Sequence, residues 1–186
     1  MIRPGSTKAT NNDSKYKSLK IALREEAILK TKDPFVLDCF AGDSVLWKAI
    51  NKKLNTQIKR VTIDADKRFK TDFNCNAKTY IKNNDLTKFN IIDLDSWGSP
   101  VIYLEHIFKT NFKGFIICTY CSPVSLNPDK ILAKNYFGEI YEKTNKKSLL
   151  AKNIGLMFKE YLILNKITEY KGLISKNKIY CIFEKK

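Results

Sequence analysis

The chain has 186 residues, 44% apolar and 28% charged, an ordinary globular composition with enough length for one hydrophobic core. No apolar run approaches the roughly 20 residues of a membrane span, and residues 1–18 are too polar for a secretory signal, so a cytoplasmic protein is expected. A net charge of +15, with +7 of it in residues 125–186, favours a polyanionic partner such as nucleic acid. The cysteines number five, with one C-x-x-C (Cys118, Cys121) and a single histidine, His106, which cannot assemble the four ligands of structural zinc; no metal is expected.

Residues 1–14 are polar and turn-rich and read as a flexible arm, leaving 15–186 as one domain. From Ser14 a helix is expected, with Leu19, Leu23 and Ala27 at helical spacing, stopped by Asp33-Pro34. Phe35 to Leu37 reads as a buried strand ending at Asp38, and Asp43 to Leu54 as a helix with Leu46, Ile50 and Leu54 on one stripe beside Trp47. Lys59 to Ile63 is the next strand, ending at Asp64, and Thr71 to Lys82 suggests a short strand and then a helical turn. Phe89 to Asp93 is a further strand, Pro100 to Lys109 a helix, Gly114 to Cys118 a strand and 120–142 a loop or insertion. A long amphipathic helix is expected over Lys147 to Leu164, before two β-rich runs, Ile167 to Ile174 and Lys178 to Phe183, that form a closing hairpin. Strands alternating with helices imply a doubly wound, mostly parallel sheet.

In so basic a chain the acids are informative. Six of the nine in residues 35–124 (Asp38, Asp43, Asp64, Asp66, Asp93 and Asp95) fall at or just past three strand ends. Ligands of open α/β sheets bind outside those ends. The first strand-to-helix turn, Asp38-Cys39-Phe40-Ala41-Gly42-Asp43-Ser44, is built of small residues that let a ligand approach the backbone, and a helix N-terminus follows. It is neither a G-x-G-x-x-G fingerprint nor a P-loop, which disfavours a nicotinamide cofactor or a nucleoside triphosphate. Asp64 stands where a carboxylate accepts hydrogen bonds from ribose hydroxyls.

These segments resemble the class I S-adenosylmethionine-dependent methyltransferases. Asp38-x-Phe40-Ala41-Gly42-x-Ser44 is similar to their D-x-F-x-G-x-G motif, with Ser44 in place of the last glycine, and Val61 to Asp64 is similar to their second motif. The resemblance implies a Rossmann-like, mostly parallel seven-stranded sheet with a C-terminal antiparallel hairpin. It implies S-adenosyl-L-methionine as cofactor, held by Asp38, Phe40, Ala41, Gly42, Ser44, Asp64, Ala65, Asn76, Ala77 and Asp93. Within it, Asp93 to Pro100 (DLDSWGSP) resembles the D-x-D-P-[YF]-G-S-P stretch of the tRNA guanine-N2 dimethyltransferases, with Ser96 in place of proline.

That narrower resemblance implies methylation of an exocyclic base amine, RNA before DNA. Asp95 would accept a hydrogen bond from the amine and offset charge growing on nitrogen, and Trp97 would stack on a flipped-out base. Lys130, Lys134, Lys146, Lys147 and Lys152 would meet the nucleic acid, and a protein partner or self-association would complete substrate recognition. Ser44 and Ser96 sustain a second reading, a methyltransferase-like nucleic-acid-binding or assembly subunit without efficient transfer. Thr119-Tyr120-Cys121-Ser122 is also similar to the nucleophile segment of RNA cytosine-5 methyltransferases. The fourth motif lacks that family's P-C dipeptide, however, and nothing nearby activates a thiolate.

Overall fold

The computed structural model describes residues 16–96, 98–121, 132, 154–174 and 178–186. The N-terminal arm 1–14, Trp97, Lys130, Lys134, Lys146, Lys147 and Lys152 lie outside the described residues, as does the first part of the helix expected over 147–164. In chain order the elements are α1 (Lys17–Leu29), β1 (Phe35–Asp38), α2 (Val45–Leu54), β2 (Lys59–Thr62), α3 (Ala77–Asn83), β3 (Ile91–Asp95), α4 (Val101–Ile107), β4 (Gly114–Cys121), α5 (Ile154–Leu164), β5 (Tyr170–Ile174) and β6 (Lys178–Lys185).

The sheet runs β2-β1-β3-β4-β6-β5. The first four strands are mutually parallel, β6 is antiparallel to β4, and β5 is antiparallel to β6. Alternation along the strands sends Val36, Ile91, Ile117, Tyr180 and Ile182 to one face, where Leu23, Ala27 and Ile28 of α1 and Trp47 and Ile50 of α2 cover them. Leu37, Ile92, Leu94, Ile116 and Cys118 face the other side, under α3, α4 and α5. None of the described helices is long and apolar enough to cross a membrane.

The expected seventh strand is not formed among the described residues; the sheet has six. Beyond β2 only one isolated parallel bridge, Ile63 with Phe73, marks its place. Phe73 N donates to Thr62 O (3.1 Å) and Asp64 N to Phe73 O (3.2 Å). The next donor, Thr62 N, is taken by the Asp72 carboxylate at 2.8 Å, which also accepts from the Thr62 hydroxyl at 2.7 Å. A side chain has captured the backbone group that would have extended the ladder.

Gly114 opens β4 at φ +140, a region that side chains rarely enter. A methyl group added there would meet the Asn90 carbonyl carbon at 2.8 Å and its Cα at 3.1 Å. Asn90 in turn bonds Phe35 N (2.7 Å) and Asp33 O (3.1 Å), tying the starts of β1, β3 and β4 together. Gly114→Ala should therefore lower the thermal midpoint by about 6 °C or more, combining backbone strain with collision against a held carbonyl. A melting curve within about 2 °C of wild type would contradict this account.

Candidate functional site

Strand order reverses between β1 and β3, since β2 lies on one side of β1 and β3, reached after α3, on the other. The crevice beyond that point is where open α/β sheets hold ligands. Around it the chain brings together the ends of β1, β2 and β3 and the segments that follow them. Ala41 N donates to Ile63 O (3.0 Å) and Ile63 N to Asp38 O (2.8 Å), stitching the first turn to the end of β2. Gly42 turns at φ +48 and donates its N–H to Asp64 Oδ2 at 3.0 Å, while Asp66 N donates to Asp64 Oδ1 at 2.8 Å. Half-buried Asp64 therefore has each oxygen oriented by a backbone donor, and each keeps a further lone pair.

Ser44 precedes α2 with φ +54 and makes no side-chain cap. Phe40, half-buried, meets Tyr103 of α4 edge-on at 5.2 Å between ring centres. Ala41 and Ala77 are buried and Ala65 is exposed. Asn76 is exposed, and its side-chain oxygen caps α3 by accepting from Lys78 N at 2.8 Å. Ser96 donates to the carbonyls of Gly98 (3.1 Å) and Thr119 (3.3 Å), fixing the loop after β3.

The remaining expected site residues lie on the sheet face beneath α1. Because β3 alternates, Asp93 and Asp95 share Ile91's face, together with Asp38 of β1 and Arg60 of β2. Arg24 reaches down from α1 and donates Nε to Asp93 Oδ2 (2.7 Å) and Nη2 to Asp93 Oδ1 (2.9 Å), a bidentate pair in which both side chains are 1% exposed. Trp47 Nε1 donates to Asp93 Oδ2 at 2.9 Å, and the Arg24 and Arg60 guanidinium carbons lie 5.8 and 5.7 Å from the Trp47 ring. Lys20 Nζ donates to both oxygens of Asp95 (2.7 and 3.0 Å), and Arg24 Nη2 adds a bond of 3.2 Å. Arg60 Nη1 donates to Asp38 Oδ2 at 3.1 Å. Three cations thus face three carboxyl groups in a largely buried layer.

Lys20, Arg24 and Arg60 were missing from the sequence-derived site. For Lys20 and Arg24 the signal was present, since both fall on the arc of α1 that carries Leu23, Ala27 and Ile28, where a solvated cation does not belong.

Burial raises the Asp95 carboxyl, but Arg24 and Lys20 more than offset it and hold the group below the usual carboxylate range. Burial and then Asp93 push Asp38 up to about 8, against the pull of Arg60 and Arg24. Between the ordinary value of 3.8 and about 8, the folded chain keeps a proton on Asp38 that the unfolded chain releases. Stability from this group is therefore complete at low pH and declines as pH rises through that window. Asp38→Asn keeps an acceptor for Arg60 and removes the titration, so its melting temperature relative to wild type should rise between pH 6 and pH 9. An offset that stays constant with pH would show that Asp38 is ionised throughout.

An open cavity of about 570 Å³, lined by residues including Phe108, Ile167 and Lys185, lies at the opposite end of the sheet, where Gly114 pairs with Lys185. It is separate from the crevice.

No protein-family model matches the chain, and curated proteins yield no match to its sequence. Solved structures do match in shape. The plantazolicin methyltransferase BpumL, bound to a triazolic desmethyl-plantazolicin analogue and S-adenosylhomocysteine, superposes with a TM-score of 0.51 at 11% identity, covering 95% of this chain and 86% of that one. With a monoazolic analogue the same enzyme gives 0.52 at 10% identity, covering 92% and 84%. A Listeria monocytogenes protein assigned to the class I S-adenosylmethionine-dependent methyltransferases gives 0.50 at 14% identity; 92% of this chain spans 59% of that one. The chain thus has the Rossmann-like fold of the S-adenosylmethionine-dependent methyltransferases, with a mostly parallel sheet closed by an antiparallel pair.

Proposed function

We propose that this chain is an S-adenosylmethionine-dependent methyltransferase acting on an exocyclic amine of a nucleic-acid base, with guanine N2 of a tRNA-like RNA as the first substrate to test. The observation that carries the cofactor assignment is the Asp64 carboxylate at the end of β2, oriented by Gly42 N–H and Asp66 N–H beside the reversal in strand order. The residues fit the cofactor. Asp64 retains lone pairs for two ribose hydroxyls, the Gly42 turn brings backbone to the crevice, and α2 directs its N-terminus there. Ala65, exposed and next to Asp64 in the chain, adds little bulk there.

When bound, S-adenosylmethionine supplies an electrophilic sulfonium methyl group and leaves as the neutral thioether S-adenosylhomocysteine. The chain's own residues position the nucleophile and stabilise the charge that develops on it. Asp95, kept ionised by Lys20 and Arg24, is a hydrogen-bond acceptor for the amine and not a proton store, so the displaced proton passes to water. Asp93 acts from behind, holding Arg24 and Trp47 in place. Trp97 remains the proposed stacking partner for a base, and Lys130, Lys134, Lys146, Lys147 and Lys152 the proposed phosphate contacts, in keeping with the net charge of +15.

A second reading, a nucleic-acid-binding subunit that has lost transfer, is favoured by one feature: the Asp95 oxygens are already bonded to Lys20. Incubation with labelled S-adenosylmethionine and unmodified tRNA transcripts, ribosomal RNA or duplex DNA, followed by mass spectrometry of the nucleosides, separates the two. Methylguanosine from RNA, formed less efficiently as salt rises, supports the enzyme. RNA binding without transfer supports the subunit.

A further inference from the structure

Lys20 and Arg24 lie four residues apart on α1, so both cations descend onto the same face of β3. They are held differently. Arg24 is fixed by two bonds to Asp93 and by a third from Nη1 to the Lys20 carbonyl oxygen at 2.9 Å, and its side chain is 1% exposed. Among the described residues Lys20 has a single carboxylate partner, Asp95, and the two side chains are 9% and 16% exposed, against 1% for Arg24 and Asp93. The groups around Asp95 are Lys20 and Arg24 from α1, Asp93 from its own strand and the Thr119 side chain from β4, with Asp38 of β1 beyond Arg24. Tyr180 of β6 lies 5.6 Å from the Lys20 ammonium. A donor arriving at Asp95 competes with one ammonium, while the guanidinium stays.

Building on the methyltransferase reading, we propose that Lys20 is a positioning residue for transfer: an exchangeable cation that keeps the Asp95 carboxylate oriented until the substrate's amine takes its place. Arg24 is the permanent half of the clamp. The pairing joins an N-terminal helix to the strand end that carries the proposed chemistry, so α1 becomes part of the site as well as a cover for the core.

The test uses the full chain carrying ¹³C-carboxyl aspartate, with the Asp95 resonance assigned through Asp95→Asn. In Lys20→Met its titration midpoint should rise by about one unit or more, because the nearest opposite charge is gone, whereas Lys20→Arg should stay within about 0.3 units of wild type. Lys20→Gln, a donor without charge, gives the same reading should the methionine variant not fold. Calorimetry with S-adenosylhomocysteine should give affinities within about threefold of wild type for all three variants, since Lys20 is assigned to Asp95 and not to the cofactor. Transfer to the RNA transcripts by Lys20→Met should lose rate mainly at the acid end of the profile, and Lys20→Arg should restore it. An unchanged Asp95 midpoint in Lys20→Met, with S-adenosylhomocysteine still bound, overturns the Lys20 assignment alone. Failure of the wild-type chain to bind S-adenosylhomocysteine at millimolar concentration overturns the methyltransferase reading and, with it, the role of Lys20 in transfer.

Discussion

Arg24→Met should be strongly destabilising, costing about 3–5 kcal/mol and lowering the melting temperature by roughly 10 °C. Methionine keeps an unbranched apolar stem in place of the arginine's aliphatic part, so much of the packing beneath α1 is retained. What remains is the Asp93 carboxylate at 0% exposure with, among the described residues, only the Trp47 indole N–H still donating to it. Burial already pushes that carboxyl upward, with Arg24 the main opposing influence, so the variant keeps a proton on Asp93 and melts at a lower temperature as pH rises. The double variant Arg24→Met with Asp93→Leu discriminates between causes. Replacing both halves of a buried pair by apolar groups is often close to neutral, so it should recover much of the loss, short of the cost of leaving the Trp47 N–H without its acceptor. If the double variant is no more stable than Arg24→Met, the loss comes from packing around α1 and the charge argument fails.

The same pair shows where sequence reasoning reached and where it stopped. The strand run Ile91-Ile92-Asp93-Leu94-Asp95 alternates with period two, and β3 extends through Asp95 instead of ending at Asp93 as expected. That alternation puts two acids on a helix-covered face, which a local reading treats as the end of a strand. The compensating cations lie about 70 residues earlier in the chain, and no local pattern links them to β3. The acids at the ends of β1 and β2 were legible because short apolar runs stop at Asp38 and Asp64, and strand ends converge in a doubly wound sheet. That no seventh strand forms among the described residues was not legible. Thr71-Asp72-Phe73 has the composition of a strand start, and only the three-dimensional placement of the Asp72 carboxylate on Thr62 N shows why pairing stops at one bridge. The resemblance implies a cofactor contact for Asn76, whose side-chain oxygen accepts a bond from Lys78 N at the start of α3.

Asp64→Ala should reduce affinity for S-adenosylhomocysteine by roughly 100-fold while leaving the fold intact. The size follows from two hydrogen bonds between ribose hydroxyls and an ionised carboxylate, at about 1.5 kcal/mol or more each. The fold survives because Asp64 is half-buried and outside the buried charge layer. The Gly42 and Asp66 N–H groups it releases lie in turns at the rim of the crevice, so the thermal midpoint should fall by only about 2–4 °C. Asp64→Asn retains one acceptor oxygen and should fall between, at roughly tenfold. Asp95→Ala provides the opposite pattern, with S-adenosylhomocysteine affinity within about threefold of wild type and transfer abolished, because that carboxylate is assigned to the amine. The contrast separates a pocket that holds the cofactor at the end of β2 from a carboxylate that serves the nucleophile at the end of β3. Equal affinities for Asp64→Ala and wild type would mean that the ligand of this crevice makes no contact with Asp64. The Gly42 turn would then be a structural tie between β1 and β2, leaving the acid cluster beneath α1 as a stability element alone.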